Sequence, residues 1–160
     1  MNMQVWYTTR IVDLLKQAQA IGEKHGHKYI LRSGLIREII ISSALGHYVH
    51  TEMHQHDAYN PDDPEEVYEY ITSFDSGTQF SFSSMRKGLD NTKNRILRNK
   101  WIYFVTFDDD NPMEISEIYR LCPQVVWNRI DLFLKTRSKK YVGSVKVSKS
   151  WVRKSGHKVI

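Results

Sequence analysis

The sequence predicts a mixed α/β domain (α+β in parts), with a central mixed β-sheet flanked by helices. Three observations carry this. Trp101–Phe107, W-I-Y-F-V-T-F, is apolar at successive as well as alternate positions, the pattern of a central strand covered on both faces. Val67–Phe74 is a second strand-forming run, rich in β-branched and aromatic residues. Segments of helical periodicity stand before and after these runs, so helices are available to cover a sheet. The chain's 160 residues suit one domain, long enough to bury a core.

The first helix is expected from about Tyr7 to His25. Ile11, Leu14, Leu15, Ala18 and Ile21 recur at helical spacing, and Gly26 follows as a stop. Such a stripe faces a core or, in a small protein, a second copy of the chain. A second helix runs from about Leu35 to Leu45 and ends at Gly46. Its isoleucines cover much of the circumference, which predicts burial against a sheet. His47, His50, His54 and His56 come next. They have no cysteine nearby and no standard zinc spacing, so zinc is disfavoured. A histidine beside a carboxylate site can instead sense or shuttle protons.

Asp57 opens a short strand, and N-P-D-D-P-E-E at Asn60–Glu66 reads as a turn. If the strands on either side pair, Asp57 and Glu69 meet at one end of a hairpin. Alternation puts Glu69 on one face with Val67, Ile71 and Ser73, and Tyr68, Tyr70, Thr72 and Phe74 on the other. A charge inside such a run is costly to bury unless it is paired or binds a cation. Two carboxylates from neighbouring strands suit a hard divalent ion such as Mg²⁺. The alternative is an edge strand with a solvated Glu69.

A helix is expected from about Met85 to Lys100, carrying Arg86, Lys87, Lys93, Arg95, Arg98 and Lys100. After the central strand, Asp108–Pro112 is a turn and Glu114–Leu121 an adjacent strand. Pro123 starts a helix whose apolar face is Val126, Ile130, Phe133 and Leu134. From Ser138 the tail is basic with interleaved valines, and reads as short strands and turns. No repeat or domain linker interrupts the chain.

Charge is uneven. Residues 1–85 carry 6 Lys and Arg against 11 Asp and Glu, whereas residues 86–160 carry 17 against 7. A basic half of this size suits a polyanion, nucleic acid above all, or serves only as a solvated surface. No apolar run reaches the ~18 residues of a membrane span, so no membrane partner is expected. The start, M-N-M-Q-V-W-Y, lacks the regions of a signal peptide. Cys122 is a lone cysteine, which points to the reducing cytoplasm.

Several short segments together resemble a known family. In chain order they are D-A at Asp57–Ala58, Y-E-Y at Tyr68–Tyr70, Q-F-S…M at Gln79–Met85 and W-I-Y-F at Trp101–Phe104. I-Y-R-L-C-P at Ile118–Pro123 and V-R-K-S-G-H-K-V-I at Val152–Ile160 follow, and K-H-G at Lys24–Gly26 precedes them all. They resemble the PvuII-like type II restriction endonucleases of the PD-(D/E)XK nuclease superfamily, over nearly the whole length. The resemblance implies a restriction-endonuclease-like fold and a homodimer with the first helix in the contact. It further implies Mg²⁺-dependent cleavage of double-stranded DNA at a short palindrome, and a cognate DNA methyltransferase acting on the same site. Asp57 and Glu69 would hold the metal. The family's lysine, two residues past the glutamate, is replaced here by Ile71. Lys93 is the first candidate to supply that charge, since T-K-N-R at Thr92–Arg95 resembles a basic stretch of the family. Lys87, or a second metal helped by His54 or His56, is the next. The base-reading positions fall at Phe82, Ser83 and Ser84 and near Ser144. The candidate DNA contacts are therefore Ser81, Ser83, Ser84, Arg86, Lys87, Ser144 and Lys146. The alternative reading is a DNA-binding protein of the same fold, inactive because of Ile71.

Overall fold

A computed structural model describes residues 3–24, 34–50, 56–82, 89–136 and 144–160. The helices are α1 (Met3–Lys24), α2 (Gly34–Leu45), α3 (Leu89–Leu97), α4 (Pro123–Lys135) and α5 (Lys149–Ser155). The strands are β1 (Tyr48–Val49), β2 (Ala58–Tyr59), β3 (Val67–Phe74), β4 (Gln79–Phe82), β5 (Trp101–Phe107), β6 (Ile115–Leu121), β7 (Val145–Ser148) and β8 (His157–Lys158). Six of them form one sheet in the order β1-β2-β3-β5-β6-β8, and β4 pairs with β7 as a separate ribbon.

The apolar continuity of β5 has the expected result: after Trp101 every residue of the strand is buried. It lies parallel to β3 and antiparallel to β6, and β6 is antiparallel to β8. Parallel neighbours need a crossover, and the segment from β3 to β5 includes α3. One face of the sheet packs Ile71, Ile102, Phe104 and Leu121 against the ribbon's Phe80 and Phe82 and the α4 residues Val126 and Ile130. The other packs Tyr68, Tyr70, Tyr103 and Val105 against Ile40 and Ile41 of α2, with Val12 and Leu15 of α1 outside them. The ribbon buries Phe80, Phe82, Val145 and Val147, and leaves Gln79, Ser81 and Lys146 exposed. Gly46 ends α2 with a φ of +71°, the left-handed turn that favours glycine.

The expected elements need four adjustments. The first helix begins at Met3, and its apolar stripe divides: Val12 and Leu15 turn inward, whereas Leu14 and Ile21 are exposed. The basic helix is described only over Leu89–Leu97, so Arg98 and Lys100 lie beyond its end. β1 and β4 were not anticipated, because two and four residues carry too little periodicity. The tail is not all strands and turns, because Lys149–Ser155 is helical. Ser148 caps it by accepting the Trp151 N–H, and Val152 and Lys149 are its buried side. The Lys149 ammonium donates to the Phe74 carbonyl at 2.5 Å, tying α5 to the end of β3.

Phe104 is fully buried at the centre of the first core and meets both Phe80 and Phe82 edge-on. Phe104→Ala should lower the unfolding free energy by about 3–5 kcal/mol. Urea denaturation checks this, as a shifted midpoint with an unchanged slope.

Candidate active site

Pairing of β2 with β3 stops after two residue pairs, Ala58 with Tyr68 and Tyr59 with Val67. Past that point β3 still needs acceptors for its N–H groups. The Asp57 side chain supplies one: Tyr70 N–H donates to Asp57 Oδ2 at 2.7 Å. On the backbone side, His50 N–H donates to the Asp57 carbonyl at 3.1 Å. Asp57 is thereby held beside Glu69, as the hairpin argument expected. Both line a cleft of about 240 Å³, together with Glu38 and Arg37 of α2, Arg95 of α3 and Ser81 of the ribbon.

Among the described residues the cleft gathers three carboxylates against two guanidinium groups, those of Arg37 and Arg95. Burial, and then the Asp57 charge, pushes the Glu38 carboxyl up to about 7. Burial and Asp57 likewise push Glu69 to about 7, although Arg95 and Arg98 pull it back. Asp57 is raised by burial, against the Tyr70 hydrogen bond and Arg95. Glu69 is only 9% exposed, so the solvated-glutamate alternative does not apply. Among the described residues it is paired with Arg95, whose Nη2 lies 3.4 Å from Oε1. Hard oxygen donors held together against their own repulsion fit a divalent cation. Among the described residues no three His, Cys, Asp or Glu groups are already gathered around one point. Two carboxylates with the remaining positions left to water and substrate is the usual arrangement for Mg²⁺.

Glu38 was not foreseen. The available signal was that Arg37 and Glu38 are the charged residues of an otherwise apolar helix. Lys93 is not brought into the cleft. It is exposed, with its ammonium 6.0 Å from the centroid of the Trp127 ring. Residues two apart on a helix point about 200° apart, so Arg95 faces the carboxylates while Lys93 faces away. Ile71 does line the cleft, as expected, but is buried and packs in the core with Phe80 and Phe82. Ser81 lines it too, and lies opposite Lys146 in the ribbon's register. Ser144 is half-buried just before β7. Ser83, Ser84, Arg86, Lys87 and His54 lie outside the described residues.

The other histidines support the site. His56 Nδ1 is 3.3 Å from Asn99 Oδ1, at the end of α3. His47 Nδ1 is 2.8 Å from the Tyr70 hydroxyl, which also lies 3.1 Å from Ser42 Oγ. The His47 ring stacks on Tyr68 at 4.0 Å, and burial lowers its pKa to about 4. A neutral His47 thus braces β3 from the face opposite Glu69. Compared with known protein families and with curated proteins, the chain matches none.

A stability test follows from the charge. Glu38 and Glu69 hold a proton more tightly in the folded protein than in the unfolded chain. Their contribution is complete below about pH 4.5 and is lost as pH rises through about 7. Metal-free protein should therefore lose stability from this source between those pH values. Glu69→Gln should flatten that loss and gain about 1–3 kcal/mol at pH 8. Urea midpoints against pH check both; an unchanged profile in Glu69→Gln would show that the cleft carboxylates are not the cause.

Proposed function

We propose that the protein is a Mg²⁺-dependent deoxyribonuclease of restriction-endonuclease-like fold, cleaving double-stranded DNA at a short palindrome. The observation that carries this reading is the pairing of Asp57 and Glu69 in one cleft under a shortage of cations. A Mg²⁺ ion held by these two carboxylates would neutralise the scissile phosphate and lower the pKa of an attacking water. Asp57 is kept in place by the Tyr70 N–H, and Glu69 by its position inside β3. Glu38, with its carboxyl near neutrality, is suited to take a proton from the water.

DNA would lie across the cleft with the β4–β7 ribbon in the major groove, which admits a two-stranded ribbon. Ser81 and Lys146 are the ribbon's exposed side chains nearest this role. The basic half of the chain would meet the phosphates. A cognate DNA methyltransferase would protect the same sequence.

A palindrome is read by a two-fold symmetric protein. Tyr7, Ile11, Leu14, Ala18 and Ile21 recur every three or four residues along α1, the spacing of a coiled-coil seam. Tyr7, Leu14 and Ile21 are 59%, 48% and 61% exposed. The reading is a homodimer in which this stripe meets its own copy. The second reading, an inactive DNA-binding protein, is favoured by Ile71, an apolar core residue at the position of the family's lysine.

Three tests apply. Incubation with plasmid or phage DNA and Mg²⁺, against a chelator control, should give discrete fragments; bound but intact DNA favours the second reading. Asp57→Ala and Glu69→Ala should each lower cleavage by roughly 10³-fold or more, while duplex binding changes little; full activity in either would remove the metal assignment. Leu14→Asp should shift the protein from dimer to monomer at micromolar concentration in sedimentation equilibrium, whereas a wild-type monomer would contradict the α1 contact.

A further inference from the structure

Resting on the nuclease reading, we propose that Arg95 is the catalytic cation of this site. The Nε–Nη2 edge of its guanidinium grips the scissile phosphate, and in the free protein the same group competes with the metal for Glu69.

Among the described residues the cleft's cations are Arg37 and Arg95. Arg37 is engaged elsewhere: Nη1 donates to Thr72 Oγ1 at 3.0 Å, and the guanidinium packs 4.9 Å from the Phe74 ring centroid. Arg95 is differently placed. Its Nη2 is 3.4 Å from Glu69 Oε1, longer than a charge-assisted hydrogen bond. Its Nε is buried and has no hydrogen-bond partner among the described residues.

The same chain shows what a filled fork looks like. Arg153 sets Nε and Nη2 together on Glu117, at 3.1, 3.2 and 2.8 Å. Arg95 offers the same edge, but Glu69 fills only part of it. A buried donor left unmade is costly, and a guanidinium that turns off Glu69 into the cleft it lines would present Nε beside Nη2 to an acceptor from outside the chain. Two parallel donors match two oxygens of a phosphate.

During hydrolysis the water oxygen bonds to phosphorus and one P–O ester bond breaks. One water proton leaves through a base, and the departing oxygen takes up a proton. Arg95 holds the negative charge that gathers on the non-bridging oxygens, the work of the lysine that Ile71 has displaced.

In the free protein Arg95 and a divalent ion are like charges drawn to one carboxylate, so each weakens the other's hold on Glu69. Removing Arg95 should therefore move two readouts in opposite directions. The test uses the whole chain as wild type, Arg95→Met, Arg95→Lys and Glu69→Ala. Mn²⁺ binding to DNA-free protein is measured by electron paramagnetic resonance. Single-turnover cleavage is measured with Mg²⁺ and excess protein over a DNA fragment that the wild type cuts. Arg95→Met should bind Mn²⁺ roughly 3–10-fold more tightly, yet cleave roughly 10²–10³-fold more slowly at saturating duplex. Arg95→Lys, which keeps the charge and the fold but loses the fork, should bind Mn²⁺ like the wild type and cleave at an intermediate rate.

Unchanged or weaker Mn²⁺ binding in Arg95→Met would overturn the competition. Cleavage by both Arg95 variants within about 3-fold of wild type, with Glu69→Ala inactive, would overturn the catalytic role and leave the nuclease reading standing. A wild type that binds no Mn²⁺ and cuts no DNA would overturn that reading itself, and this proposal with it.

Discussion

A single hydrogen bond, from the Tyr70 N–H to Asp57 Oδ2 at 2.7 Å, joins the fold to the site. It forms because β2 stops pairing with β3 at Ala58 and Tyr68, while β3 runs on to Phe74. The carboxylate takes the place of a strand that has ended. A buried backbone donor must find an acceptor, so the position of Asp57 is set by the sheet and not by the flexibility of its loop. Glu69 is set by the alternation of the same strand. Two negative charges are thereby fixed beside each other by backbone geometry, whatever their mutual repulsion.

The consequence is a charge imbalance confined to one end of the sheet. Two carboxylates elsewhere are closely paired. Glu117 accepts the whole Arg153 fork, and Glu66 sits 2.8 Å from the Lys100 ammonium. Those pairs are partly solvated and contribute little net stability. In the cleft only Glu69 of the three carboxylates has a contact with Arg95 among the described residues, a loose one, and burial raises Asp57, Glu69 and Glu38 above their ordinary range. Such a site carries electrostatic strain while its carboxylates are ionised. Electrostatic strain of this kind is common where a ligand is expected. The tyrosine, serine and histidine cluster behind β3 holds the strand still, so that strain is not relieved by movement.

The parts legible in the sequence are those whose signal is local. β5, β3, β6 and α4 follow from periodicity and from Pro123, and the Asp57–Glu69 meeting follows from a hairpin with a proline-containing turn. α5 escaped because seven residues beginning at a serine cap look like a basic, valine-rich strand. Glu38 escaped because nothing within α2 records that β2 passes beside it. Arg95 was within reach: a helical wheel over Leu89–Leu97 separates it from Lys93, which sequence similarity had favoured. Among the described residues no helix is long and apolar enough to cross a bilayer.

Whether Asp57 and Glu69 together hold a divalent cation can be read from an anomalous difference map of crystals grown with Mn²⁺ in place of Mg²⁺. One strong peak is expected within roughly 2.0–2.3 Å of oxygens from both carboxylates, with the Arg95 guanidinium turned away from Glu69. A map with no peak between them, and Arg95 still resting on Glu69, would contradict that expectation.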